Sequence, residues 1–182
     1  VTGMRSPTRE IARLLHRSGK PVVLAVNKTE GRVAGVEAAD FHRLGLGEPM
    51  AIAAMHGAGC EALLARALEG LEPQEGEDGP QDDSIRIAVI GRPNVGKSTL
   101  VNRLIGEERV IATDIAGTTR DSIFVPFERD GRKFTLIDTA GVRRRARVTD
   151  AVERASVARS LQAIEAAHVV VLVLDAHEGI AE

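Results

Sequence analysis

The stretch IRIAVIGRPNVGKSTLVNRLI, residues 85–105, constrains the fold more than any other part of the chain. Ile85 to Ile90 read as a buried strand, a glycine-bounded turn follows, and Leu100, Val101, Leu104 and Ile105 then fall on one face of a helix. Gly91 to Ser98, GRPNVGKS, fits G-x-x-x-x-G-K-[ST] and has the strand before it and the helix after it that the pattern requires. Gly91, Arg92, Pro93, Asn94, Val95, Gly96, Lys97, Ser98 and Thr99 are therefore expected to form a phosphate cradle. The glycines let backbone N–H groups curl round the phosphates, the helix N-terminus adds the positive end of its dipole, and Lys97 reaches the β and γ oxygens. The Ser98 hydroxyl is the expected ligand of Mg2+.

The rest of the chain supplies a setting for that unit. Ser6 and Pro7 are an N-cap and first helical residue for a helix carrying Ile11, Leu14 and Leu15 and ending near Gly19. PVVLAV at 21–26 reads as a strand buried on both faces, PMAIAA at 49–54 as a weaker one, and Leu63, Leu64, Ala67, Leu68 and Leu71 as a helix. SIFVPFERDGRKFTLID holds two apolar runs joined through Asp130-Gly131, a hairpin signal. A helix around 150–167 and a final strand from Val169 to Leu174 complete the pattern. Strands alternating with helices imply an α/β, doubly wound and mostly parallel sheet with one antiparallel hairpin. Residues 72–84, EPQEGEDGPQDDS, carry six acidic residues and no basic one, and read as a solvated linker between segments 1–71 and 85–182.

Composition excludes several functions. A net charge of −2 gives no overall attraction to DNA or an anionic membrane, and the longest apolar run, VVVLVL, is too short to span a bilayer. Aromatic residues are 2% of the chain, which argues against stacking single-stranded bases. With Cys60 as the only cysteine and no basic-then-apolar leader, a reducing, cytoplasmic setting is expected.

Two further pieces complement the cradle. LIDTAG, 136–141, brings Asp138 to the C-terminal end of a strand, followed by Thr139, Ala140 and Gly141, about 40 residues after Lys97. Asp138 is expected to hold the magnesium through its water shell, and the Gly141 N–H to sense the γ-phosphate. In GTP-binding proteins an N-K-x-D element follows these parts, its carboxylate accepting from guanine N1 and N2. Here the comparable Asn27, Lys28 and Glu30 lie upstream, directly after a strand. Adenine lacks that donor pair, so a carboxylate there selects guanine. AIAAMHGAG, 51–59, looks like the companion loop, in which the Ala54 N–H would meet guanine O6.

GRPNVGKSTLVNRLIGEERVIATDIAGTTRDSI, DTAGVRRRARVTDAVERASVARSLQAIE and VVVLVLDAHEGI together resemble the TrmE–Era class of bacterial GTPases, and within it the double-domain Der (EngA) family. The resemblance implies that 1–71 correspond to the second half of a first G domain and 85–182 to the first part of a second. The two segments would then carry complementary parts, able to close into one permuted sheet across a linker that reaches about 40 Å when extended. The resemblance also implies GTP hydrolysis to GDP in ribosome biogenesis, with the 50S subunit and its rRNA as partner. Thr119, in TDIAGTTRD, would bind Mg2+ when the γ-phosphate is present. Asn94, Thr113, Ile115 and Thr118 would hold K+, which neutralises charge between the β and γ phosphates as an arginine finger does. Val142 stands where a Ras-like enzyme has a water-orienting Gln, and Glu153 is the candidate substitute, or else a solvent-facing helix residue. Arg143, Arg144, Arg145 and Arg147 form a basic run that either touches rRNA phosphates or is a solvated face. Departures from the family pattern are Glu30 for Asp, which moves the carboxylate by about 1.5 Å, Ala53 for Ser, and Thr2 for Asp. The competing reading is a non-catalytic chain that binds nucleotide weakly.

Overall fold

The computed structural model describes residues 7–30, 38–71, 84–105, 124–129, 131–137 and 160–178. Helix α1 (Pro7–Ser18) leads into strand β1 (Val22–Asn27). A short helix α2 (Ala38–Phe41) and a 3-10 turn (His42–Leu44) precede β2 (Met50–Ala51) and helix α3 (Cys60–Leu68). Then come β3 (Ile85–Ile90), helix α4 (Lys97–Ile105), the hairpin strands β4 (Phe124–Arg129) and β5 (Arg132–Ile137), a helical stretch over 160–166, and β6 (Val169–Asp175).

The strands form one six-stranded sheet in the order β2-β1-β6-β3-β5-β4, parallel throughout except for the antiparallel β4–β5 pair. The last strand in sequence therefore lies between the first and the third. Its seven residues VVVLVLD are all buried, as a strand covered by helices on both faces must be. Val170 through Asp175 pair with Val22 through Asn27, and Val169 through Leu172 with Ile87 through Ile90.

Side-chain alternation along these strands makes two cores. Val23, Ala25, Ile87, Val89, Val169, Val171 and Val173 pack with Leu63, Leu64 and Ala67 of α3 and Leu100, Val101 and Leu104 of α4. Leu24, Val26, Ala88, Ile90, Val170, Leu172 and Leu174 pack with Ile11, Ala12 and Leu15 of α1, with Phe41 and Leu44, and with Ala163 and Ile164. Lys20 adds a polar tie between distant segments: its Nζ donates to the carbonyls of Ala167 (2.8 Å) and Glu165 (3.3 Å), a cation on the orphan carbonyls at a helix end.

Several elements differ from their sequence expectation. The 49–54 strand is only two residues long because the chain turns away after Ala51 into a loop closed by the Ala53–Ala58 bridge. The helix expected to include Leu71 ends at Leu68, with Glu69 extended (φ −63°, ψ 125°). Ser84, assigned to the acidic linker, is buried with its hydroxyl 2.7 Å from that of Thr135. The hairpin forms as expected, with Gly131 at φ 72° supplying the left-handed turn residue; its companion Asp130, the linker residues 72–83 and most of the expected 150–167 helix lie outside the described residues. Leu172 is fully buried at the centre of one core. Leu172→Ala is expected to cost about 2–5 kcal/mol, read as a lower urea midpoint with an unchanged m-value.

Candidate functional site

The parallel strands β1, β6 and β3 end side by side, and the loops at their C-terminal ends form the site, as expected for a parallel α/β sheet. Gly91 leaves β3 at φ 149°, and a Cβ on it would lie 2.3 Å from the Val173 carbonyl oxygen, so only glycine lets the cradle pass over β6 here. Asn94 adopts the left-handed conformation at φ 65°, which asparagine tolerates better than most residues. Lys97 opens α4, and its ammonium lies in the hollow of the loop, donating to the carbonyls of Gly91 (2.8 Å) and Arg92 (2.6 Å). Arg92 is anchored outward by an ion pair to Glu178 at 3.0 Å.

Asn27, the last residue of β1, is 3% exposed and both ends of its side-chain amide are used. Nδ2 donates to the Val95 carbonyl at 2.8 Å, and Oδ1 accepts from the Ala54 N–H at 2.9 Å. One side chain thus ties the 51–59 loop to the phosphate cradle across 68 residues of sequence. Gly96 (φ 97°) makes room for it, since a Cβ there would lie 2.2 Å from Asn27 Nδ2. The Ala54 N–H, assigned from sequence to guanine O6, has Asn27 as its partner in this structure.

Lys28 follows in the left-handed conformation (φ 66°), which turns its ammonium back onto the buried Asp175 carboxylate at the end of β6. Asp175 also accepts from the His177 N–H at 2.9 Å. Burial pushes this carboxyl up, but the Lys28 hydrogen bond, the His177 N–H and the Lys28 charge together outweigh it and hold the group below its ordinary range. Thr29 donates from both N and Oγ1 to the Ile52 carbonyl, and Glu30 sits exposed in the turn beyond.

Sequence reasoning missed Asp175, although VLVLD ends a strand with an aspartate just as LID does. It also missed Arg103 of α4, whose guanidinium lies where a Cβ on Gly57 would be, 2.4 Å from Nε, so the cradle helix also supports the 51–59 loop. Met55, at the tip of this loop, is 72% exposed, and His56 beside it is exposed too. Cys60 at the start of α3 is buried; desolvation pushes its thiol up against the opposing pull of Arg103, leaving a poor nucleophile.

Of the expected site residues, the structure brings together Asn27, Lys28 and Ala54 with Gly91, Val95, Gly96 and Lys97. Arg92, Pro93, Asn94, Ser98 and Thr99 complete the same loop and the first turn of α4. Thr113, Ile115, Thr118, Thr119, Asp138, Thr139, Ala140, Gly141 and Glu153 lie outside the described residues, as do Val142 and the arginine run at 143–147; β5 is described to Ile137, one residue before Asp138. Among the described residues no group of three or more His, Cys, Asp or Glu could hold a metal ion. A phosphate group fits the cradle because a lysine ammonium is held in the loop at a helix N-terminus, while the glycines at 91 and 96 set the path of the loop past Val173 and Asn27. Ser98, partly buried in the first turn of that helix, is the described hydroxyl available to a cation accompanying it.

Residues 86–182 match the sequence family described as 50S ribosome-binding GTPase. Over 99% of its length the chain is 57% identical to GTPase Der of Thioalkalivibrio sulfidiphilus and to GTPase Der of Methylococcus capsulatus, and 55% identical to that of Polynucleobacter asymbioticus. It spans about 40% of the length of these relatives.

Two outcomes follow from the hydrogen bonds. Asn27→Ala strands a buried carbonyl and a buried N–H, and is expected to cost about 1–3 kcal/mol for each, seen as a lowered thermal midpoint. For Asp175, whose folded-state pKa is depressed, the stabilisation is present above the unfolded-state value of about 4 and is lost as pH falls through the folded-state value. Asp175→Asn should therefore be about 1–3 kcal/mol less stable than the parent at pH 7, with the gap shrinking on acidification below about pH 4 in denaturant titrations.

Proposed function

The chain belongs to the 50S ribosome-binding GTPase family, and on that footing we propose that it is a guanine-nucleotide switch that hydrolyses GTP to GDP and phosphate, its six strands acting as one composite G domain. The observation that carries this reading is Asn27, whose amide joins the cradle to the 51–59 loop. A single pocket then spans both ends of one nucleotide.

In this reading Lys97 exchanges its two carbonyl partners for β and γ phosphate oxygens, and the N–H groups of the cradle and of the first turn of α4 complete the anion shell. Lys28 and Asp175 hold the turn that carries Glu30, whose carboxylate accepts from guanine N1 and N2. Thr29, bonded to Ile52, keeps that turn against the 51–59 loop. Ser98, Thr119 and Asp138 are the residues that would hold Mg2+, which when bound neutralises phosphate charge. Asn94, Thr113, Ile115 and Thr118 are the corresponding set for K+. The Gly141 N–H reports the γ-phosphate, and Glu153 is assigned to orient the attacking water. That water's oxygen bonds to the γ phosphorus as the bond to the β–γ bridging oxygen breaks, leaving GDP and inorganic phosphate. Loss of the γ-phosphate frees Thr119, so the loop around it reports nucleotide state.

The partner in this reading is the 50S subunit through its rRNA, and the setting is the cytoplasm. Among the described residues no helix is long and apolar enough to cross a membrane.

The test is displacement of a fluorescent GDP analogue from the purified chain. GTP should compete at least about tenfold better than ATP, because adenine lacks the N1–H and 2-amino donors that the Glu30 carboxylate accepts, and Lys97→Ala should abolish displacement-competent binding. Equal competition by ATP contradicts the guanine reading. Turnover in Mg2+ should be faster in K+ than in Na+ buffer, and equal rates would remove the potassium assignment.

A further inference from the structure

A second charged site lies away from the cradle, on the sheet face covered by α1. A cleft of about 450 Å³ between α1 and the 3-10 turn is lined by Arg9, Ala12, Arg13, His16, Arg43 and Leu44. It shares no residue with the nucleotide pocket. Arg9 and Arg13 are one helical turn apart on α1 and both exposed, and Arg43 faces them from the turn. Like charges four apart destabilise a helix by about 0.2–0.5 kcal/mol. Among the described residues none of the three guanidiniums has a hydrogen-bond or ion-pair partner. The cleft is nevertheless held in shape: His16 Nε2 donates to the Leu44 carbonyl at 2.9 Å, and Leu15, Phe41 and Leu44 pack beneath it in one core.

We propose that this cleft is an RNA-binding site that grips backbone phosphates of an RNA duplex, with Arg9, Arg13 and Arg43 as the contacting residues. Three forked donors converging on one cavity suit the tetrahedral oxygens of phosphodiesters. Among the described residues no Phe, Tyr or Trp lines the cleft, and the His16 ring is engaged by the Leu44 carbonyl, so the site is suited to reading backbone position rather than sequence. The choice of RNA over another polyanion rests on the ribosome-binding family to which the chain belongs. The site divides labour within the molecule: the cradle handles nucleotide at the C-terminal ends of the parallel strands, while the arginine cleft fixes a partner on a face.

The test is fluorescence anisotropy of a labelled 20-base-pair RNA duplex against the 182-residue chain saturated with GDP, from 50 to 200 mM KCl. Arg9→Gln/Arg13→Gln/Arg43→Gln should weaken binding about tenfold or more at 50 mM salt and flatten the slope of log K against log salt by about 2–3, near 0.9 per lost phosphate contact. The Arg→Lys triple variant, which keeps the charge, should restore the slope. Affinity for a fluorescent GDP analogue, measured on all three proteins, should be unchanged, which separates failure of the cleft from failure of the nucleotide site or of folding. An unchanged salt slope in the glutamine variant, or a wild-type chain that binds GDP but not the duplex at 50 mM salt, overturns the proposal.

Discussion

The site depends on one side-chain amide. Asn27 has two polar atoms and spends both on backbone groups of other loops, Val95 in the phosphate cradle and Ala54 in the loop after β2. The Val95 bond forms only if β1 ends next to β6 and β6 next to β3, and the Ala54 bond only if β2 ends beside β1. A buried amide left half-satisfied would cost about 1–3 kcal/mol, more than the net contribution of about 0.5–1.5 kcal/mol from a made bond, so the pairing of the strands and the geometry of the loops are specified together. The glycine at position 96 belongs to the same constraint, since any side chain there would occupy the space of the Asn27 amide nitrogen.

β6 makes that arrangement possible. It is the last strand in the chain, fully buried, and in register with both β1 and β3. Segment 7–71 contributes the two strands on one side of it and segment 84–137 the three on the other. Without β6 each group would present an unpaired, apolar edge, an arrangement that folded sheets avoid. Lys20 on the carbonyls of Ala167 and Glu165, and Lys28 on Asp175, add charged ties between the first segment and the last at opposite ends of the same strand pair.

Much of this was legible in the sequence because the strongest signals are local. The strand, glycine turn and helix at 85–105, the six-residue apolar run of β6, the hairpin around Gly131 and the Asn27-Lys28 pair at a strand end can each be read from a short window. What could not be read depends on tertiary approach. Nothing local distinguishes an Asn27 that faces a ligand from one that clamps two loops. The Lys28–Asp175 pair joins residues 147 apart, and the Arg103–Gly57 contact depends on how α4 lies over the 51–59 loop. β2 was overestimated because MAIAA is apolar over a longer run than the two residues that pair. The arginine cleft escaped because Arg43 lies in a turn too short to carry a helical period.

The central claim is that β1, from the first segment, is an integral strand of the sheet that holds the cradle. Native-state hydrogen exchange resolved by residue tests it most directly, because strands in one cooperative unit open together with the same free energy. The account predicts that amides in 22–27 and 169–175 share one slow-exchanging class and lose protection in parallel as denaturant is added. Rapid exchange of 22–27 while 169–175 and 85–90 stay protected would contradict it.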